Sequence, residues 1–321
     1  MKYLIVGGAG FIGSYIVDDL LSDEKTSLIR IYDNFTSGKH WHLAHHSGDS
    51  RLEIFHNDIY DAEIFEAAKN IDVTILLAAN PDIAKAVTEP DIDFKQGTVL
   101  TQITLEAIRQ AKCPRLLYAS GSGVYGDTGD AWVAESAPME PISTYGASKL
   151  GCEALISSYC HMFGLCATSF RFGNVVGGRQ THGVAYDFIR RLQLDPTYLD
   201  ILGDGSQSKP YVHVHDVVKA LKLMLKQQVT TYEVLNVAPD DFTTVTEIAN
   251  LVIAEMGISN DSCELRYSGG ARGWKGDVPI VRLNTSKIRS IGWENSCTST
   301  EAVRKSVREM ISNLEFLYKH A

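Results

Sequence analysis

The sequence predicts an α/β protein: a doubly wound parallel sheet with a smaller C-terminal lobe. Short apolar runs alternate with helical stretches through the first half, the order that builds a parallel sheet with helices on both faces. A glycine-rich turn joins the first run to the first helix, and the alternation loosens beyond about residue 175.

Strands are expected at 2–6 (Lys-Tyr-Leu-Ile-Val), 28–32, 52–55, 73–77, 115–119 and 167–171, short strand-like runs, most of them rich in Val, Ile, Leu or aromatic residues. Helices near 12–21, 61–69, 98–111 and 146–163 fill the intervals. In the second half, helices are expected at 184–193, 215–227, 245–256 and 299–318, with glycine-rich stretches at 203–205 and 268–276. With 321 residues, 45% hydrophobic and 21% charged, the chain can bury a sizeable core.

A net charge of −9 and the lack of any Lys/Arg cluster exclude a general nucleic-acid binder. Six cysteines without C-x-x-C spacing read as reduced and mostly buried. No apolar run reaches membrane-spanning length, and no basic segment with a cleavage site opens the chain, so the cytoplasm is expected and a membrane partner is not.

The glycine turn carries the first chemistry. Gly7, Gly10 and Gly13 are spaced G-x-x-G-x-x-G between a strand and a helix. Glycine lets the backbone approach a pyrophosphate, and the helix start offers unpaired amides and the positive end of its dipole. Asp33 ends the second strand, 20 residues after Gly13, where its carboxylate can accept from the ribose hydroxyls of an adenosine and would repel a 2′-phosphate. NAD is thus expected rather than NADP. The alternative is that Asp33-Asn34 caps a turn. Asn57-Asp58-Ile59 and Leu77-Ala78-Ala79 follow two further strands at the same edge; the alanines would let a cofactor lie near the backbone, and ordinary turn and core roles fit them too. Tyr145 and Lys149 lie four apart, on one face of a helix, where an ammonium favours the phenolate of its neighbour; an ordinary surface pair has the same spacing.

Together Gly7-Gly8-Ala9-Gly10-Phe11-Ile12-Gly13, Asp33-Asn34, Asp58-Ile59, Leu77-Ala78-Ala79, Gly123-Val124-Tyr125-Gly126, Tyr145-Gly146-Ala147-Ser148-Lys149, Arg171-Phe172-Gly173-Asn174 and Gly276-Asp277-Val278 resemble the extended short-chain dehydrogenase/reductases that act on nucleotide sugars, of the UDP-galactose 4-epimerase type. The resemblance spans nearly the whole chain. It implies a Rossmann NAD-binding domain over 1–173, with part of 205–240 returning to it, and a mainly nucleotide-sugar-binding lobe over 174–321. It implies cofactor contacts at Gly7, Gly10, Phe11, Ile12, Asp33, Asn34, Asp58, Ile59, Leu77, Ala78, Ala79, Tyr145 and Lys149. Tyr145 would be the base that takes a sugar hydroxyl proton, and Lys149 would hold the nicotinamide ribose.

One departure stands out. The family places Ser or Thr four residues before the tyrosine of Val-Tyr-Gly, and here that residue is Gly121, flanked by Ser120 and Ser122. Ser122, or else Ser120, is expected to supply the hydroxyl. Dehydratase relatives carry an Asp-Glu pair directly afterwards; Ser122 and Gly123 occupy those places, which disfavours elimination.

On the substrate side the resemblance implies Asn174 on the diphosphate, Lys209 on phosphate, and Asp277 on the nucleoside ribose. Trp274 replaces a common arginine and could stack on a base or sugar or simply pack. Arg272 and Lys275 are neighbours that could stand in for that arginine. Thr181-His182-Gly183 is expected to line the sugar pocket.

No metal is expected. His213 and His215 read as facing one way on a strand, in a structural role, and His40, His42, His45 and His46, without an accompanying cysteine or acidic pattern, read as a solvated flap over the adenosine. Related enzymes pair two helices across a two-fold axis, so the apolar faces of 98–111 and 146–163 suggest a homodimer, although burial within one subunit explains them as well. The expected function is an NAD-dependent nucleotide-sugar 4-epimerase that removes hydride from C4, lets the keto sugar turn, and returns the hydride to the other face. The alternatives are a C4 dehydrogenase, a dehydratase, or a non-catalytic dinucleotide-binding sensor.

Overall fold

The computed structural model describes residues 1–313. Seven strands form one sheet: β1 (Lys2–Val6), β2 (Leu28–Asp33), β3 (Leu52–His56), β4 (Val73–Leu76), β5 (Arg115–Gly121), β6 (Cys166–Phe172) and β7 (Tyr232–Val237), in the order β7-β6-β5-β4-β1-β2-β3. The pairs β1–β2, β1–β4, β2–β3 and β4–β5 are parallel. All four residues of central β4 are buried, which is why it reads as an unbroken apolar run, while edge strand β3 is half-exposed. The chain runs outward through β2 and β3 and then crosses back to β4 on the other side of β1. That reversal opens the crevice in which open α/β sheets bind ligands.

The helices are α1 (Phe11–Leu21), α2 (Glu63–Ala67), α3 (Leu100–Gln110), α4 (Thr144–Phe163), α5 (Val184–Leu194), α6 (Val214–Lys226), α7 (Val245–Glu255), α8 (Ser286–Ser290) and α9 (Ser299–Ser312). Leu105, Ile108 and Leu100 of α3 and Ile156 of α4 pack with Leu4, Leu76 and Leu116 of the sheet in one buried cluster. In α7 and α9 a capping box starts the helix, Thr244 with Glu247 and Thr298 with Glu301. No helix among the described residues is long and apolar enough to cross a membrane. The six cysteines are free; Cys113, Cys152, Cys160 and Cys263 are buried, Cys166 and Cys297 half-buried.

Two compact units emerge. The first comprises Met1–Val124, Thr144–Arg171 and Val218–Leu235; the second comprises Tyr125–Ser143, Phe172–Val217 and the chain from Asn236 onward. The segment 125–143 therefore groups with the second unit rather than with the first 173 residues. Its bonds explain why: Val133 bridges Leu283, and the Asn236 amide donates to the Val133 carbonyl.

Other elements differ from expectation. β7 was hidden because Glu233 and Asn236 interrupt its apolar run; its place comes from pairing beside β6. The helix expected at 61–69 shrinks to α2, and α3 is preceded by a π-helical turn, Phe94–Val99. His213 ends the short strand Tyr211–His213, whereas His215 belongs to α6 rather than to a strand; their ring centres nonetheless lie 5.0 Å apart, His213 buried and His215 exposed. The expected extension of α9 from 314 to 318 lies outside the described residues.

Candidate active site

The glycine turn sits where the strand order reverses. Val6 is in register with Leu76, and the amides of Leu77 and Ala78 both donate to the Val6 carbonyl, at 2.9 and 3.0 Å. Gly7 has φ +85°, and a Cβ on it would lie 2.6 Å from the Ala78 nitrogen; one on Gly13 would lie 2.6 Å from the Gly7 carbonyl oxygen. No side chain can enter this cradle. Gly10 caps α1 without a side-chain acceptor, and the first turn of α1 holds no acidic residue, so the amides of Phe11 and Ile12 stand at the positive end of the helix with no side-chain cap.

Asp33 closes the cradle. Its Oδ2 accepts from the Ala9 amide at 2.9 Å and its Oδ1 from the Phe35 amide at 2.8 Å. Burial pushes its carboxyl up, against the pull of those two amides and of His56. Asn34 donates to Asp58 at 2.9 Å, linking the ends of β2 and β3. Ile59 itself is a core side chain, so only its backbone is open to a cofactor. Sequence reasoning missed Gly38, where a Cβ would come 2.8 Å from Asp33 Oδ1, and Phe35, held at φ +57° and stacked on His40 at 4.1 Å. Neither carries a local signal, because both contacts depend on how the loop after β2 folds back.

Tyr145 and Lys149 lie on the first turns of α4. Lys149 is buried, its amine donates to the Ala119 carbonyl at the end of β5 at 2.7 Å, and it stands 5.6 Å from the Tyr145 ring centre. A Cβ on Gly123 would come within 3.9 Å of Tyr145 Cδ1, so the turn Ser122–Tyr125 packs against the phenol. Ser120 is engaged further along α4. It is buried and donates to Glu153 at 2.6 Å, beside a buried Glu153–Arg171 ion pair of 2.7 Å. Ser122 is half-buried, and a Cβ on Gly121 would meet nothing within 4 Å.

A buried hub that the sequence did not reveal fixes the start of α4. The Asp93 carboxylate accepts from Thr144 Oγ1 at 2.7 Å and from Asn80 Nδ2 at 2.9 Å, and its carbonyl accepts from Ser148 at 2.7 Å. Asn80 directly follows the alanines after β4, so one carboxylate ties that loop to the turn bearing Tyr145. The spacing of 51 residues between Asp93 and Thr144 gives no local clue.

In the second unit, Lys209 and Asp277 form an ion pair of 2.7 Å, and the Gly273 amide donates to the same carboxylate at 3.2 Å. Arg272 donates to the Asp277 carbonyl and to Asp127, whereas Lys275 is exposed. Trp274 is half-buried over Gly276, whose φ of +91° lets the chain turn there; a Cβ at Gly276 would lie 3.2 Å from the indole. Asn174 opens the short strand Asn174–Val176, and His182 is exposed in the turn before α5.

The histidine segment is exposed at His40 and His45, as expected of a solvated loop, but not at His42. His42 is fully buried, with Nδ1 2.7 Å from the Ala9 carbonyl of the glycine turn. His45 and His46 both reach Asp18 of α1. The acidic partner thus exists, but it sits on another element.

The model of the NAD dependent epimerase/dehydratase family matches residues 3–238. The chain is similar to a UDP-glucose 4-epimerase of Mycolicibacterium smegmatis, 29% identical over 315 residues that cover 96% of this chain and 97% of that protein. A crystal structure of UDP-galactose 4-epimerase superposes with a TM-score of 0.86 at 33% identity, covering 98% of this chain and 100% of that one. The dTDP-glucose 4,6-dehydratase DesIV of Streptomyces venezuelae, solved with NAD bound, superposes with a TM-score of 0.90 at 26% identity and 99% coverage of both chains.

Proposed function

This chain belongs to the NAD-dependent epimerase/dehydratase family, and on that premise we propose that it is a nucleotide-sugar 4-epimerase working by transient oxidation at C4. The observation that carries this reading is the packing of Tyr145 and Lys149 beside a turn, Ser122–Tyr125, that contains no acid. The cradle of Gly7, Gly13 and Ala78, the open amides of Phe11 and Ile12, and Asp33 suit the pyrophosphate and adenosine of NAD. Bound there, NAD supplies the acceptor and later the donor of a hydride.

Tyr145 takes the proton of the C4 hydroxyl as the C4 hydrogen leaves with its electron pair, and returns that proton when the hydrogen comes back. Lys149, fixed by the Ala119 carbonyl, places its charge beside the phenol and is suited to a ribose hydroxyl of the cofactor. Ser122 is the hydroxyl left for the sugar oxygen, because Ser120 is committed to Glu153. In the second unit, Asn174, Lys209, Trp274 and Asp277 are the residues proposed to hold the nucleotide and its diphosphate. The fold likeness to a dehydratase is strong. Elimination still requires an acid and a base after position 121, where this chain has Ser122 and Gly123. We further propose a homodimer through α3 and α4.

Tyr145→Phe should abolish turnover, a loss of about a hundredfold or more, while NAD content stays unchanged; wild-type turnover in this variant refutes the mechanism. Mass spectrometry of the wild type with a panel of sugar nucleotides should give an isomerised sugar with no net NADH. Stoichiometric NADH would instead mean a dehydrogenase, and a product lighter by one water a dehydratase. NAD binding without conversion of any sugar would mean a sensor.

A further inference from the structure

The segment after β2 is held at two points. At the first, His42 and the Lys39 amide bond the Ala9 carbonyl, at 2.7 and 3.0 Å. At the second, His45 Nε2 and His46 Nε2 lie 2.8 and 2.7 Å from the same oxygen, Oδ1 of Asp18. The three donor atoms fall within 4.8 Å of one another, and the two imidazole centroids are 4.0 Å apart. Three potential ligands from two elements, α1 and the turn Ala44–His46, thus converge on one point.

We propose that Asp18, His45 and His46 form a binding site for a divalent transition cation of the zinc class, which clasps the segment 39–46 to α1. Two imidazoles and one carboxylate suit zinc and its first-row neighbours, and exclude a preference for calcium or magnesium, which take oxygen donors. The site is accessible: the side chains of His45, Asp18 and His46 are 47%, 30% and 17% exposed. Both Nε2 atoms now face the carboxylate as donors, so metal binding requires each ring to carry its proton on Nδ1 instead. Tetrahedral zinc holds its donor atoms about 3.3 Å apart, so each Nε2–Oδ1 gap, now 2.8 and 2.7 Å, must open to admit the ion. Water completes the coordination. The clasp adjoins the cofactor cradle through Ala9 and α1 and uses none of its residues, so the inference stands whatever sugar the enzyme acts on.

Equilibrium dialysis of metal-free protein against zinc tests it, with cobalt as a spectroscopic stand-in. One equivalent should bind, cobalt should show the visible bands of a tetrahedral site, and zinc should raise the melting temperature. His45→Ala, at an exposed position, and Asp18→Asn should each weaken binding by about tenfold or more and abolish the thermal shift, with circular dichroism unchanged. His40→Ala and His215→Ala should leave binding intact. Failure of the wild type to take up one equivalent overturns the proposal, as does undiminished binding in His45→Ala and Asp18→Asn.

Discussion

At the scale of single residues, the hydroxyl missing from position 121 is the sharpest departure from the family pattern, and Ser122 is its proposed replacement. Ser120 is buried and donates to buried Glu153, while Ser122 stands on the turn that packs against Tyr145. Ser122→Ala should therefore lower kcat by about tenfold or more, and Ser120→Ala should act through stability, because it strips a partner from a buried carboxylate. Gly121 has open space where a Cβ would go and does not need a positive φ. Gly121→Ser in the Ser122→Ala background should restore much of the lost turnover. Steady-state kinetics of the three variants checks this, and unchanged turnover in Ser122→Ala would remove the serine from the mechanism. The pair of serines was legible in the sequence. The choice of Ser122 was also made there, but that Ser120 is taken up by Glu153 was not legible, since strand alternation alone cannot say where β5 ends and its turn begins.

At the scale of elements, the strand and helix pattern of the first half was readable because periodicity of two and of 3.6 survives in short apolar runs. What escaped were contacts that join distant elements: β7 beside β6, His42 on Ala9, Asp18 under His45 and His46, and Asp93 beneath Thr144. The last of these bears on catalysis. The Asp93 carboxylate is buried and receives two donors, one from the first residue of α4 and one from Asn80. An amide in its place can still accept from Asn80, but its NH2 then faces Thr144, whose hydroxyl must reverse from donor to acceptor, and two bonds to a charged carboxylate become neutral ones at a cost of about 1 kcal/mol. Asp93→Asn should thus lower the melting temperature. Because Tyr145 follows Thr144 directly, it should also cut kcat by about ten- to hundredfold, with NAD content retained. Thr144→Ser keeps the hydroxyl and should keep activity, whereas Thr144→Ala should resemble Asp93→Asn. A thermal melt with paired kcat and KM values separates this from a general loss of fold; equal activity of Thr144→Ala and wild type would show that the hub does not position the tyrosine.

At the scale of the whole molecule, the proposed dimer rests on what α4 leaves uncovered. Its buried face, with Ser148, Cys152, Glu153, Ile156, Tyr159 and Cys160, accounts for the apolar pattern that packs within the subunit, and Leu100, Leu105 and Ile108 of α3 do the same. The opposite face is not the charged surface expected of a solvated helix. It runs Ala147, Gly151, Ala154, Ser158 and Met162, flanked by Leu150 and Leu155, with Met162 71% exposed. Small residues at this spacing let a second helix come close. Sedimentation at micromolar concentration should give twice the 35.4 kDa of one chain. Ala154→Arg substitutes an exposed position that a monomer tolerates, within about 0.5 kcal/mol, but it would place two charges at a two-fold contact. That variant should sediment as a monomer with its helical signal intact. A wild type that sediments as a monomer, or an Ala154→Arg variant that stays dimeric, would move the subunit contact away from this face.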